Sequence, residues 1–317
     1  MLPIVDLDAA DAADQLAAGL EELGFVQLVG HGASAAAAAD LRTGCDELFA
    51  LDEATKRRFV HPSPLANRGF RARGSEALSY SLGDESPPDL FESFNCGSDA
   101  RVTGHELLQP TPWPDDAVPE FRAAAHGWLA EMDTLARRLD ELIDGVLGTS
   151  LAERSSAGPD TMACIDYRPD PGGSEQLVEG QLRMGAHSDY TTFTLLHADP
   201  VPGLQIVDRN SEWMGVEPEP GALLVNVGDL LAMLTNDTWP STLHRVVPMA
   251  AGAAPTRRSV AVFHYPDLDV EIAPLPAFGP PRYEPVRVED HLVGKLAAPK
   301  TLSAPTSAST TAGRLDA

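Results

Sequence analysis

Hydrophobic positions along this chain change their period twice. Between Asp11 and Leu23 apolar residues recur at helical spacing and stop at Gly24, which predicts an amphipathic helix. PIVD (3–6) ahead of it reads as a short edge strand. GFVQLVGHG (24–32) reads as a buried strand, with Phe25, Val26, Leu28 and Val29 between glycines. Ser34 is placed to N-cap a second helix, the alanine-rich run toward Leu51. Residues 60–118 lose the periodicity. They are rich in Pro, Gly and Ser, with short extended pieces at RGFRARG (68–74) and SYSLGDESPPDLFESFNCG (79–97), the pattern of a lid or binding loop. Helical spacing returns over Pro119–Leu147, where Leu129, Met132, Leu135, Leu139, Leu142 and Val146 form an apolar stripe.

From Thr161 the period shortens. TMACIDY, QLRMGA, TTFTLLH, GLQIVD, EWMGVE, GALLVNVG, STLHRVVP and RRSVAVFHY are short β-like runs punctuated by Gly, Pro and Asp. That spacing predicts a barrel or sandwich rather than βα units. The expected fold is therefore α+β with a β-rich core. A helical N-terminal module with substrate or lid loops occupies 1–118, and a helix plus the β core occupies 119–296. The small, polar, aperiodic stretch 297–317 is expected to be disordered.

Composition narrows the partners. The formal net charge is −24, which repels phosphate backbones and anionic headgroups, so neither nucleic acid nor membrane is an expected partner. No obligate protein partner is evident. Cys45, Cys96 and Cys164 are scattered and odd in number, forming neither a disulfide framework nor a zinc-binding pattern. The N-terminus has four aspartates in its first 14 residues and no basic n-region, so a cytoplasmic location is expected.

The β region holds candidate chemistry. In GAHSDYTTFTLL (185–196), His187 and Asp189 lie two apart at the mouth of a strand, where both can face one ion. His244, in STLHRVVP, opens another apolar strand 57 residues later. Two imidazoles and one carboxylate make a facial triad, which leaves positions open on non-haem Fe(II). A closed structural zinc site would want a fourth ligand, typically cysteine, and no cysteine lies nearby. His197 falls on the other side of its strand, a core position. His31, at a strand exit, reads as a turn residue. Asn226 and Asp229, in NVGDLL, read as structural polar residues.

In succession, HSD–TTFTLL, GLQIVD, EWMGVEPEPGALLVNVGDLLAMLTND, STLHRVV and TRRSVAVFHYPD resemble the isopenicillin N synthase-like Fe(II)/2-oxoglutarate-dependent oxygenases. The resemblance covers most of residues 2–296, including PIVDLD and GFVQLVGHG. It implies a double-stranded β-helix, or jelly roll, with His187, Asp189 and His244 on iron. It places Arg257 and Ser259 on the distal carboxylate of 2-oxoglutarate. A guanidinium fork suits a carboxylate, and alternation turns the neighbouring Arg258 the other way. Tyr167 matches a tyrosine that helps hold the co-substrate, but Arg168 stands where that pattern departs, so either of the two takes the role.

The implied reaction consumes O2 and 2-oxoglutarate, releases succinate and CO2, and oxidises an unactivated carbon of a small molecule, by default through hydroxylation. Substrate contacts are expected from Arg71, Arg73, Phe91, Phe94 and Asn95, and from His264 in FHYPD. An arginine facing the pocket would pair with a substrate carboxylate. Two alternatives stay open at this point: an iron oxidase of the same fold that uses no 2-oxoglutarate, and a non-catalytic ligand-binding barrel.

Overall fold

The computed structural model describes residues 1–82, 86–168, 177–248 and 257–297. Residues 298–317, which hold nearly all of the stretch expected to be disordered, lie outside the described residues. The helices are α1 (Ala12–Leu23), α2 (Ala35–Ala50), α3 (Glu53–Arg57), α4 (Phe121–Leu147), α5 (Leu151–Arg154), α6 (Asp229–Leu234) and α7 (Val288–Ala297). The strands are β1 (Ile4–Asp6), β2 (Phe25–Val29), β3 (Gly69–Arg71), β4 (Glu92–Cys96), β5 (Thr161–Asp166), β6 (Met184–His187), β7 (Phe193–Ala198), β8 (Leu204–Val207), β9 (Trp213–Gly215), β10 (Leu223–Val227), β11 (His244–Val246), β12 (Arg258–His264), β13 (Glu271–Ile272) and β14 (Val286–Arg287).

Local chemistry sets the helix ends. Helix α1 stops at Gly24, whose φ of 65° is left-handed and where a Cβ would lie 2.1 Å from the Pro240 carbonyl oxygen. Helix α2 starts at Ser34, whose side chain accepts a hydrogen bond from the Ala37 amide at 3.2 Å. Helix α4 buries Phe121, Ala125, Trp128, Met132, Leu135, Leu139 and Ile143. The expected stripe drifts at its C-terminal end. Ile143 takes the buried position, Leu142 is half-buried and Val146 is exposed, because 3.6 residues per turn carries a strict three-four pattern off the contact line.

Among the described residues, eight strands form one sheet in the order β1-β2-β10-β7-β12-β5-β4-β3, and four form another in the order β6-β11-β8-β9. The predicted edge strand at PIVD is β1, at one end of the large sheet. It pairs in parallel with β2, which pairs antiparallel with β10, so the N-terminal segment extends the sheet that bears the site.

The large sheet separates two apolar interiors. One face packs against α1, α2 and α4 through residues such as Leu16, Leu20, Leu48, Phe94, Phe121, Met132, Cys164 and Leu195. The other faces the small sheet, and the space between them is walled by Phe25, Ala163, Ile165, Met184, Leu204, Ile206, Leu224 and Val246. The three cysteines are buried and free. No helix among the described residues is long and apolar enough to cross a membrane.

Candidate active site

The interior between the sheets holds the cavity, and the strands deliver polar groups to opposite parts of it. Strand β6 ends on His187, and β11 pairs with it antiparallel so that His244 stands directly opposite His187. That register closes the 57-residue gap in sequence and brings the two ring centroids within 4.2 Å. Asp189 follows in the turn, and its Oδ1 lies 3.8 Å from the Nε2 of each histidine. The three ligand atoms all lie within 4.8 Å of one another.

The surroundings prepare these groups for a cation. His187 Nδ1 lies 2.8 Å from the Gly185 carbonyl oxygen, and His244 Nδ1 lies 3.1 Å from that of Thr242. A carbonyl only accepts, so each Nδ1 carries the proton and each Nε2 presents its lone pair to the centre. Asp189 Oδ2 accepts from Thr194 Oγ1 at 2.6 Å and from Asn226 Nδ2 at 2.7 Å, leaving Oδ1 for the ion. Burial pushes the Asp189 carboxyl up, but His244 and His187, when protonated in place of an ion, and the hydrogen bonds from Asn226 and Thr194 outweigh it and hold it below the usual carboxylate range. The turn is pinned from behind, since the Asp229 amide donates to the Asp189 carbonyl at 2.8 Å. Gly228 allows that approach: a Cβ there would lie 2.2 Å from the Thr191 carbonyl oxygen. Two nitrogens and one carboxylate oxygen, with the cavity on their open side, fit a divalent non-haem iron.

A second polar group stands just ahead of β12. Arg257 is 2% exposed, yet its Nε and Nη1 have no hydrogen-bond partner among the described residues. Its guanidinium carbon sits 4.7 Å from the centre of the Tyr167 ring. Ser259 Oγ donates to the Tyr167 hydroxyl at 3.3 Å. Burial pushes the Tyr167 phenol up, so that hydroxyl is neutral. A buried cation whose donors lack acceptors calls for an anion, and the fork geometry suits a carboxylate.

Residues 159–266 match the 2OG-Fe(II) oxygenase superfamily, and residues 2–116 match the family described as non-haem dioxygenase in morphine synthesis N-terminal. The validamycin A dioxygenase of Streptomyces hygroscopicus subsp. limoneus is 32% identical over 300 residues, covering 88% of this chain and 80% of its own. The chain belongs to the Fe(II)/2-oxoglutarate-dependent dioxygenases. The 2-oxoglutarate-dependent dioxygenase citB of Monascus ruber is 30% identical over 322 residues, with 92% of this chain and 93% of that one covered. Among solved structures, a full-length Neurospora crassa protein in complex with alpha-KG and thymine superposes with a TM-score of 0.81 at 26% identity, covering 94% of this chain and 96% of that one. This dioxygenase accordingly uses Fe(II) and 2-oxoglutarate, and His187, Asp189 and His244 have the donor set for the iron.

The dioxygenase cavity gathers most of the residues named from sequence and leaves others out. Arg71, Phe91, Asn95, Tyr167, Arg257 and Ser259 line it together with the triad. Phe94, expected to contact substrate, points to the other face of β4, where its ring packs edge-on to Phe121 at 5.3 Å. Alternation decides this, because Phe91, Ser93 and Asn95 share the cavity side and Phe94 cannot. Arg73 turns away to the backbone carbonyls of Leu90 and Arg168. Arg168 pairs with Asp166, Nε to Oδ2 at 2.6 Å, so of the two candidates Tyr167 is the one inside the cavity. Arg258 faces outward to Asp46 and Asp199. His197 packs against Trp128, and His31 makes a long-range hydrogen bond through Nε2 to the Gly221 carbonyl.

His264 is also outside the cavity lining, held between Asp140 (Nε2, 2.9 Å) and Asp160 (Nδ1, 3.0 Å). Burial alone would strip its proton, but the Asp160 charge and the hydrogen bonds to both carboxylates prevail, and its pKa is pushed up to about 10. The charged histidine ties α4 to β5 and β12. A group held above its unfolded value stabilises the fold fully below that value, near 6.5, and its contribution fades as pH rises toward 10. His264→Gln leaves buried Asp140 without its cation and is expected to cost about 3–5 kcal/mol at pH 6.5. In urea titrations the gap between wild type and variant narrows from pH 7 to pH 10. A gap constant over that range would mean the folded imidazole is neutral.

Asn226 reads from sequence as a structural polar residue and nothing local marks Thr194, yet both orient the Asp189 carboxylate. The available signal was an amide among apolar residues in LLVNV, since a polar side chain at a buried strand position needs a partner. Asn226→Leu is expected to weaken Fe(II) affinity by about 10–100-fold in anaerobic titration, the usual cost of losing a partner that orients a ligand. Unchanged affinity would assign the bond to stability alone.

Proposed function

We propose that this dioxygenase hydroxylates an unactivated C–H bond of a small molecule while 2-oxoglutarate is oxidised to succinate and CO2. In this reading the two sheets form a double-stranded β-helix around the cavity, and the segment up to residue 118 supplies the loops that close it. The observation that carries the proposal is Arg257: a fully buried guanidinium with two nitrogens unsatisfied among the described residues, in the same cavity as three candidate metal ligands.

His187, Asp189 and His244 hold Fe(II) in this reading. Arg257 takes the distal carboxylate of 2-oxoglutarate through paired N–H donors, with Ser259 turning its hydroxyl proton from Tyr167 to the carboxylate and Tyr167 adding a second hydroxyl donor. Bound there, the iron supplies the O2 activation that side chains cannot. The chain's own part is to orient and to exclude water. Phe91, Ile165, Leu204, Val246 and Phe263 give the space between the anchors apolar walls, which keep solvent from the reacting carbon. The Neurospora crassa protein, solved with thymine, and validamycin A dioxygenase support a small molecule as the substrate.

The test is anaerobic: add Fe(II), then 2-oxoglutarate, and record the visible charge-transfer band of the chelated co-substrate. Its appearance, followed under air by one succinate for each hydroxylated product, supports the reading. A protein that binds iron and never shows the band would move the 2-oxoglutarate-independent oxidase reading to the front.

A further inference from the structure

The cavity has a polar wall on β3 and β4, and its hydrogen bonds can be assigned atom by atom. Arg71 carries only donors. Its Nη2 lies 2.7 Å from a side-chain atom of Asn67, which must therefore be the Oδ1. The Asn95 atom 2.9 Å from that same oxygen must then be its Nδ2. The other terminal atom of Asn95, Oδ1, is left as an acceptor with no partner among the described residues, on a side chain 6% exposed that lines the cavity. Arg71 Nη1 pairs with Glu76, while Arg71 Nε is buried with no partner among the described residues.

The register puts the two side chains that carry these atoms on one face of the sheet. Strands β3 and β4 pair Gly69 with Asn95 and Arg71 with Ser93, so Arg71 and Asn95 are diagonal neighbours on one face. Diagonal Cβ atoms lie roughly 7–8 Å apart, within reach of one small polar group placed between the side chains. Charge selects further. The Arg71–Glu76 pair is neutral in sum, so the carboxylate expected for a pocket arginine meets a cation already compensated, with a repelling carboxylate beside it. Asn95 Oδ1, an acceptor, offers nothing to an anion.

We propose that Asn95 and Arg71, bridged by Asn67, select an uncharged substrate bearing an amide or imide group, whose N–H donates to Asn95 Oδ1 and whose carbonyl accepts from Arg71 Nε. The proposal rests on the oxygenase reading above and names the substrate class for that site. The wall lies three strands from Thr194, which orients Asp189, with β5 and β12 between. The amide is therefore the handle and the oxidised carbon lies at the other end of the molecule.

The test uses matched probes, small cyclic amides and imides against carboxylates of the same carbon skeleton, read as stimulation of succinate release by the Fe(II)-loaded full chain. Amide or imide probes are expected to give kcat/KM at least tenfold above their carboxylate partners. In Asn95→Leu that ratio falls to within about threefold, since one neutral hydrogen bond into a buried acceptor is worth about a factor of ten. A purely structural role for Asn95 lowers both probes together and leaves the ratio unchanged, which would overturn the proposal even if much of the variant misfolds. Glu76→Gln uncovers the Arg71 charge and shifts the ratio about tenfold toward carboxylates. Carboxylate preference in the wild type, or stimulation by neither probe class, overturns the proposal as well. The charge-transfer band of wild type with Fe(II) and 2-oxoglutarate reads the oxygenase assignment separately, so a protein with the band and the wrong preference refutes only the substrate class.

Discussion

Asp189→Ala is expected to lower Fe(II) affinity by about 10²–10⁴-fold and to abolish turnover at micromolar iron. The carboxylate is the only anion in the candidate ligand set, and two hydrogen bonds, from Asn226 and Thr194, hold it charged in a buried place. Removing one charged partner from a buried, hydrogen-bonded set costs about 3–5 kcal/mol, which converts to that range of affinity. Alanine also leaves the Asn226 amide and the Thr194 hydroxyl without their acceptor, so the thermal midpoint of the metal-free protein should fall slightly. Asp189→Asn separates the two effects. It keeps the shape, but an amide cannot accept from Asn226 and Thr194 on one oxygen while presenting a charged oxygen to the ion on the other. Anaerobic iron titration is the measurement, and an affinity for Asp189→Ala within tenfold of wild type would remove Asp189 from the metal site.

Arg257→Met is expected to act in two directions at once. Its KM for 2-oxoglutarate should rise by about 30- to 5,000-fold, the equivalent of about 2–5 kcal/mol for removing one partner of a buried charge-assisted pair. Without co-substrate, however, the variant should be as stable as wild type or more so. Among the described residues the wild-type Nε and Nη1 have no partner, and the Tyr167 ring and hydroxyl offset part of the cost of burying the charge. A methionine of similar length fills the space with no charge to desolvate. Thermal melts with and without 2-oxoglutarate read both effects. Wild type should gain about 2.7 kcal/mol at a hundred times its Kd, and the variant should gain almost nothing at that concentration. A variant that melts well below wild type in the absence of co-substrate would instead make Arg257 a structural residue.

The same physical point separates these two anchors from His264. Among the described residues, Arg257 is a buried charge whose Nε and Nη1 lack a partner, and His264 is a buried charge with two. An unmet buried charge marks a place where a ligand completes the fold's electrostatics, whereas a met one holds elements together. From sequence the two look alike, since each is a basic residue at one end of the same apolar strand.

The sequence by itself determined the elements and the ligand types. Period and punctuation placed α1, α2 and α4 and the strands of the core to within a few residues, because helix and strand spacing, caps and glycine turns are local properties. The HxD spacing proposed two metal ligands for the same reason: they lie on one short stretch. Alternation allowed only one of Arg257 and Arg258 to face inward and the family resemblance chose Arg257; applied to β4, alternation would also have turned Phe94 away from the cavity in favour of Phe91 and Asn95.

Only the tertiary structure decided which distant groups meet. The antiparallel register of β11 on β6 sets His244 opposite His187. The order β10-β7-β12 brings Asn226 to Thr194, and both to Asp189. Pairing of β3 with β4 brings Asn95 to Asn67, which also holds Arg71, and Glu76 cancels the charge that a lone pocket arginine would have shown. Pairing between strands far apart in sequence depends on the whole set of buried faces packing at once, and no local pattern records it.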